Sequence, residues 1–203
     1  MHKLNRPRLR NQTSLRPPDG VPWRGLLLAA SALFLAGPRL GAALDSGAAV
    51  PREYQIKAAF LYNFTKFVEW PAGRFASPDS PIVIGILLDN PFGDALEAIV
   101  KNRKVNNRPI DVRIVTTAAE AAAAHILFAG AGQDARMAAM IDTLRKGSVL
   151  TVGESPAFAA YGGVIDFVVE GDKVRFAINR ESGQRAGLKI SAQLLKLAAA
   201  ASP

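Results

Sequence analysis

The run Ile82-Val83-Ile84-Gly85-Ile86-Leu87-Leu88 constrains the fold of this chain more than any other feature. A strand with one face in water alternates apolar and polar residues. An unbroken apolar run instead needs cover on both faces, the situation of a central strand in a parallel sheet flanked by helices. Around this strand, helix and strand signals alternate. Upstream, Ile56, Ala59, Phe60, Phe64 and Phe67 recur at helical spacing within 53–70, Leu61 and Val68 widen the stripe, and Pro71 ends the helix by disfavouring helical geometry at Trp70. Downstream, Asn90-Pro91 predicts an N-cap and first-turn proline for a helix with Phe92, Leu96 and Ile99 on its inner face.

A basic, Asn-rich loop over 101–108 then leads to 109–115, where strict alternation predicts a half-exposed strand near the sheet edge. A helix over 118–124, a strand over 125–129 and a helix over 134–146 follow, the last with Met137, Ile141 and Leu144 inside and Gly147 as its stop. After a strand over 149–152 and a capped turn at Glu154-Ser155-Pro156, strands 164–169 and 174–178 form a hairpin through Glu170-Gly171-Asp172-Lys173. Ser191 caps a final helix carrying Leu194, Leu195 and Leu197. Strand-helix units followed by a hairpin imply a three-layer α/β/α sandwich, its sheet mostly parallel with a C-terminal antiparallel hairpin.

The net charge of +8 raises the possibility of a nucleic-acid partner, so its position matters. Lys3, Arg6, Arg8, Arg10, Arg16, Arg24 and Arg39 face the single acid Asp19 within residues 1–43, which leaves a basic excess of only two from position 44 onward. The basic N-terminal stretch runs into an apolar segment of 11 residues, Leu26 to Ala36, and then into Gly41-Ala42-Ala43. Membrane-spanning helices need roughly 20 residues, so this order of basic, apolar and small residues reads as a secretory signal peptide. The expected organisation is a cleaved signal peptide over 1–43, a short linker over 44–52 and one α/β domain over 53–203, located in the periplasm. The loop over 101–108 carries no aromatic for base stacking and is read as a solvated connection, so no nucleic-acid partner is expected.

Catalytic constellations are absent from the domain sequence. It has no Cys and a single His, His125, so thiol nucleophiles and zinc sites lack their ligands, and no Ser stands in a context that would pair with that histidine. His125 is read as a satisfied or half-buried strand residue. No catalytic residue, metal or cofactor is expected. One pattern argues otherwise: Gly130-Ala131-Gly132-Gln133-Asp134-Ala135 matches the dinucleotide fingerprint, joins a strand to a helix, and has the acid Glu154 24 residues beyond Gly130. It follows the third strand instead of the first, and an exported protein does not meet a nicotinamide pool. A tight turn that needs small residues is the preferred reading.

The stretch from Tyr54 to Pro71, YQIKAAFLYNFTKFVEWP, resembles the opening helix of the YfiR-like family of periplasmic regulators. Further matching motifs follow in order: Ile84-Gly85-Ile86 with Asn90-Pro91-Phe92-Gly93, Val149-Leu150-Thr151-Val152-Gly153, Gly162-Gly163-Val164-Ile165-Asp166-Phe167, Val174-Arg175-Phe176-Ala177-Ile178-Asn179, and Ala186-Gly187-Leu188-Lys189-Ile190-Ser191. The resemblance implies a repressor that binds the periplasmic sensor domain of an inner-membrane diguanylate cyclase, controlling cyclic di-GMP and biofilm formation. The alternative is a periplasmic small-ligand binding module feeding a sensor kinase or receptor. Similar proteins are often dimeric, so a homodimer is an expectation. Redox sensing through disulfides, known among relatives, is impossible in a chain without Cys.

Candidate partner-binding residues are Tyr62, Glu69 and Trp70, although a Trp at this helix end is more often core. On a helical wheel Tyr62, Thr65 and Glu69 point away from the apolar face, whereas Asn63 falls within it and is expected to tie the helix to the sheet. Asn63, Pro71, Gly153, Gly162, Gly163 and Asn179 are assigned structural roles. Lys189 and Ser191 are candidates for a small anion at a helix start, and a simple capped turn fits them as well.

Overall fold

The computed structural model describes residues 49–198, so the expected leader and cleavage site lie outside the described residues. Helix α1 (Arg52–Phe67) opens the fold, with Leu61 and Phe64 fully buried. It ends three residues before Trp70 because Val68 turns extended, and β1 (Val68–Glu69) pairs antiparallel with β9 (Lys189–Ile190). The Ser191 amide donates to the Phe67 carbonyl at 2.9 Å, satisfying part of the helix end. Pro71 then caps a 3-10 turn, Ala72–Arg74.

The apolar run becomes β2 (Ile82–Leu87), with all six residues buried. Asn90 does not cap the next helix. Its side chain accepts the Phe92 amide at 2.9 Å and donates to the Gly93 carbonyl at 3.0 Å, closing a turn, and α2 (Ala95–Val100) starts after Asp94. The segment expected to be a plain loop holds β3 (Lys104–Val105), joined to β4 (Arg108–Val115) by Asn106 and Asn107 at φ +50° and +64°. Two consecutive positive φ values make the turn whose twist suits a hairpin, and asparagine tolerates them better than most residues.

Thr117 and Glu120 form a reciprocal capping box on α3 (Ala118–Ala123). Strand β5 (Ile126–Phe128), helix α4 (Asp134–Lys146), strand β6 (Leu150–Gly153) and the hairpin β7 (Ile165–Glu170) with β8 (Lys173–Ile178) follow. Met140 takes the inner position on α4 expected for Ile141, which is half-buried. Helix α5 (Arg180–Arg185), which no periodicity in the sequence predicts, is a short helix capped by Asn179, whose Oδ1 accepts the Ser182 amide at 3.0 Å. Helix α6 (Ala192–Leu197) buries Leu194 but leaves Leu197 exposed.

The seven-stranded sheet has the order β3-β4-β2-β5-β6-β7-β8, parallel from β4 to β7 with an antiparallel strand at each end. Residues from α1, α2, α6 and the Ala186-Leu188 segment join one face of the sheet in a core centred on Leu61, Phe64, Ile84, Phe92 and Phe128. A second core, with Leu127, Met137, Leu144, Val149 and Phe158, lies under α3 and α4. This is the expected three-layer sandwich with a C-terminal hairpin. The chain runs from β2 to β4 on one side and then crosses to β5 on the other, so the strand order reverses at β2.

Candidate functional site

A buried charged cluster lies at the carboxyl ends of β5 and β6, beside the first turn of α1. Burial there is made tolerable by pairing. Lys57, 2 % exposed, is ion-paired with both Glu53 and Glu154. Glu154 Oε1 also accepts the Tyr54 hydroxyl at 3.0 Å and the Ala131 amide at 2.7 Å. Burial, and then the Glu154 carboxylate, push the Tyr54 phenol up to about 12. This network answers the dinucleotide pattern physically: the Ala131 amide, which would face a pyrophosphate, is occupied by the chain's own carboxylate. An incoming phosphate would have to displace Glu154 from a buried ion pair.

Beside the network, Asp166 of β7 and Asp134 of α4 face each other's charge. Burial first, and then Asp134, raise the Asp166 carboxyl to about 6, with Lys57 opposing. Tyr161 donates to Asp134 Oδ1 at 2.5 Å. Asp166 Oδ1 is buried and has no hydrogen-bond partner. Asp166, Glu53, Tyr54, Lys57 and Glu154 line a cavity of about 470 Å³. Sequence reasoning missed this cluster. The Glu53-Lys57 spacing of i,i+4 was a visible signal, but Glu154 and Asp166 join only through the fold.

His125 occupies the opposite end of β5. Its Nδ1 accepts the Val83 amide at 3.1 Å, its ring stacks on Phe75 at 4.6 Å, and its carbonyl accepts Trp70 Nε1 at 3.1 Å. Burial, and then the Arg74 cation, depress it to about 4. A neutral imidazole committed to a backbone amide is a packing element, and no base-nucleophile pair forms around it among the described residues.

The partner-binding candidates are distributed around the end of α1. Tyr62 is half-buried, with Lys66 Nζ 5.3 Å and Arg103 Cζ 5.0 Å from its ring centre, so an aromatic surface sits between two exposed cations. Glu69 is exposed on β1. Trp70 is half-buried and pinned by its hydrogen bond to His125. Thr65 corrects the helical wheel: it is 1 % exposed, its hydroxyl donates to the Tyr62 carbonyl at 2.6 Å, and it shares a small cavity with Val68, Trp70 and Phe75. A wheel describes only the helix, whereas later chain covers this side too. Asn63 is half-buried and makes no side-chain hydrogen bond to the sheet among the described residues.

Lys189 lines another cavity of about 350 Å³, with Arg180, Gln184, Leu188, Ile190 and Leu195. The Ser191 hydroxyl accepts the Leu194 amide at 3.2 Å, so hydroxyl and backbone amide are both engaged within the fold. Among the structural residues, Gly153 and Gly163 clasp the Phe158 ring: a Cβ on either would fall 2.2 Å and 2.1 Å, respectively, from ring carbons. Gly162 adopts φ +99°, a conformation costly for any other residue.

A family model described as YfiR/HmsC-like matches residues 54–199. No curated protein matches the sequence significantly. Among solved structures, a conserved domain protein from Vibrio cholerae O1 biovar eltor str. N16961 is similar with a TM-score of 0.51 at 10% identity, over 72% of this chain and 59% of that one. That likeness concerns the fold alone. The family match spans most of the sequence, and the chain belongs to the YfiR/HmsC-like family.

Proposed function

We propose that this member of the YfiR/HmsC-like family is an exported regulator that acts by binding, without catalysis. In this reading it holds the periplasmic sensor part of an inner-membrane diguanylate cyclase inactive and thereby restrains cyclic di-GMP production and biofilm formation. The observation that carries the proposal is the family match over residues 54–199, joined to a leader with the order of a secretory signal. A protein outside the inner membrane influences a cytoplasmic reaction only by binding one state of a spanning partner more tightly than another. The Tyr62, Lys66 and Arg103 surface and exposed Glu69 offer the aromatic and charged groups such binding uses.

The test is co-purification. The mature chain, expressed with the periplasmic domain of an inner-membrane diguanylate cyclase encoded beside it, should be retained as a stable complex and should begin near Leu44. Recovery of the native chain from the cytosol with residues 1–43 attached, or failure to retain the cyclase domain, would remove the proposal.

A small-ligand binding module is the second reading, favoured by the cavity at Lys189. A ligand at that cavity would raise the melting temperature through mass action.

A further inference from the structure

We propose that the cavity between the first turn of α1 and the edge of β7 is a binding site for a small organic cation: a primary ammonium carrying a short apolar body. Its volume of about 470 Å³ suits a small ligand.

Charge points to the sign of the ligand. Glu53, Glu154 and Asp166 line the cavity, and Lys57 is the only cation among its lining residues. Lys57 is already shared by Glu53 and Glu154, which leaves Asp166 without a counterion.

Hydrogen bonding points the same way. The donors around the cavity are engaged: Tyr54 and the Ala131 amide on Glu154, Lys57 on two carboxylates, Tyr161 on Asp134. The group left over is an acceptor: the Asp166 carboxylate lines the cavity and makes no hydrogen bond or ion pair among the described residues, its Oδ1 being buried. A carboxylate oxygen withdrawn from water without a partner calls for a donor, and a positively charged one offsets most of the cost. An anion would meet three carboxylates, while the side-chain donors that line the cavity, Tyr54 and Lys57, are already engaged.

The walls favour an organic ion over a metal. No group of three or more metal-ligating side chains converges among the described residues. The chain's own ammonium shows what the site accepts: Lys57 Nζ lies 4.8 Å from the Tyr54 ring centre and 5.7 Å from that of Phe167. Val168 and Val169 continue the wall, and Val169 is 50 % exposed, an apolar surface against which the body of an amine packs.

Calorimetry and thermal shift on the purified full chain test this without any protein partner, so failure here is distinguishable from failure of the regulatory reading. The probes are phenethylamine, isoamylamine and putrescine at up to about ten millimolar, with phenylacetate as the anionic control. At least one ammonium should bind at pH 8 with one-to-one saturation, and Asp166→Asn should weaken it at least tenfold, as expected for loss of a charge-assisted hydrogen bond. Circular dichroism checks that the variant is folded. Lys104→Ala, exposed on β3 at the far edge of the sheet, should leave binding unchanged. In the unmodified protein, affinity should also fall at least about tenfold at pH 5, because Asp166, held between Asp134, Glu154 and Lys57, is then mostly protonated. The proposal is overturned if no ammonium binds, if phenylacetate binds as well as the amines, or if affinity is the same at both pH values and in Asp166→Asn.

Discussion

Glu69 and Lys189 stand directly opposite each other in the antiparallel pair of β1 and β9, so a residue at the end of the first helix meets one from the last segment of the domain. Two surfaces assigned separately from the sequence, one for a protein partner and one for a small ligand, are thus adjacent. Opposite charges at facing positions contribute roughly 0.2–1 kcal/mol. Glu69→Lys should cost that amount in urea unfolding, and adding Lys189→Glu should restore it. Additive losses in the double variant would show that the pair contributes nothing.

Glu154→Gln removes one of the two carboxylates holding Lys57. Deleting one partner of a buried pair commonly costs about 3–5 kcal/mol. Glu53 remains and is partly exposed, so the loss should lie at or below the lower end of that range. Chemical denaturation at pH 7 reads it. A loss under about 0.5 kcal/mol, the range of ordinary surface substitutions, would mean that the lysine is not held as described.

Gly163→Ala places a methyl into the Phe158 ring. Overpacking of this kind costs about 1–3 kcal/mol, sometimes more. Combining it with Phe158→Leu should cost less than the sum of the two single changes, because both act on one contact. Strict additivity would contradict the clasp.

A half-buried carboxyl and a buried imidazole give opposing pH dependence. Asp166, raised to about 6, favours the folded state when protonated; its contribution is present below the ordinary carboxylate value and lost as pH rises through 6. Asp166→Asn should therefore be more stable than the unmodified protein at pH 8, by on the order of 1–2 kcal/mol after allowing for solvent screening. His125, depressed to about 4, contributes above its ordinary value near 6.5 and loses that contribution as pH falls toward 4. His125→Asn should flatten the fall in stability over this window by on the order of 2–3 kcal/mol. Melting curves from pH 4 to 8 separate the two slopes.

The aromatic-cationic surface makes a prediction for binding rather than folding. Arg103→Glu and Lys66→Glu alter exposed side chains and should shift stability by less than about 0.5 kcal/mol. If the partner docks here, they should slow its association and flatten or invert its dependence on salt, as surface plasmon resonance would record. Unchanged kinetics would place the interface elsewhere.

Much of the framework was legible in the sequence because hydrophobic periodicity and local turn chemistry specify it. The apolar run over Ile82–Leu87 announced a strand covered on both faces, and Gly171 with Asp172 announced the hairpin of β7 and β8. The misreadings fall where distant chain intervenes. Val68 and Glu69 left the helical pattern to pair with Lys189 and Ile190, Thr65 was covered on a side the wheel left open, and Asn90 spent its side chain on a turn.

The sequence by itself determined an α/β sandwich, the resemblance to the family, and a chain without cysteine, because residue types and local spacing carry those properties. Only the tertiary structure decided that Glu154 fills the amide of the glycine-rich loop, that Lys57 is buried between two carboxylates, and that Asp166 lines a cavity with no ion pair among the described residues. Those facts depend on charges about a hundred residues apart meeting in a space from which water is largely excluded. Periodicity reports which face of an element is buried, and only the assembled fold fixes which buried groups confront one another.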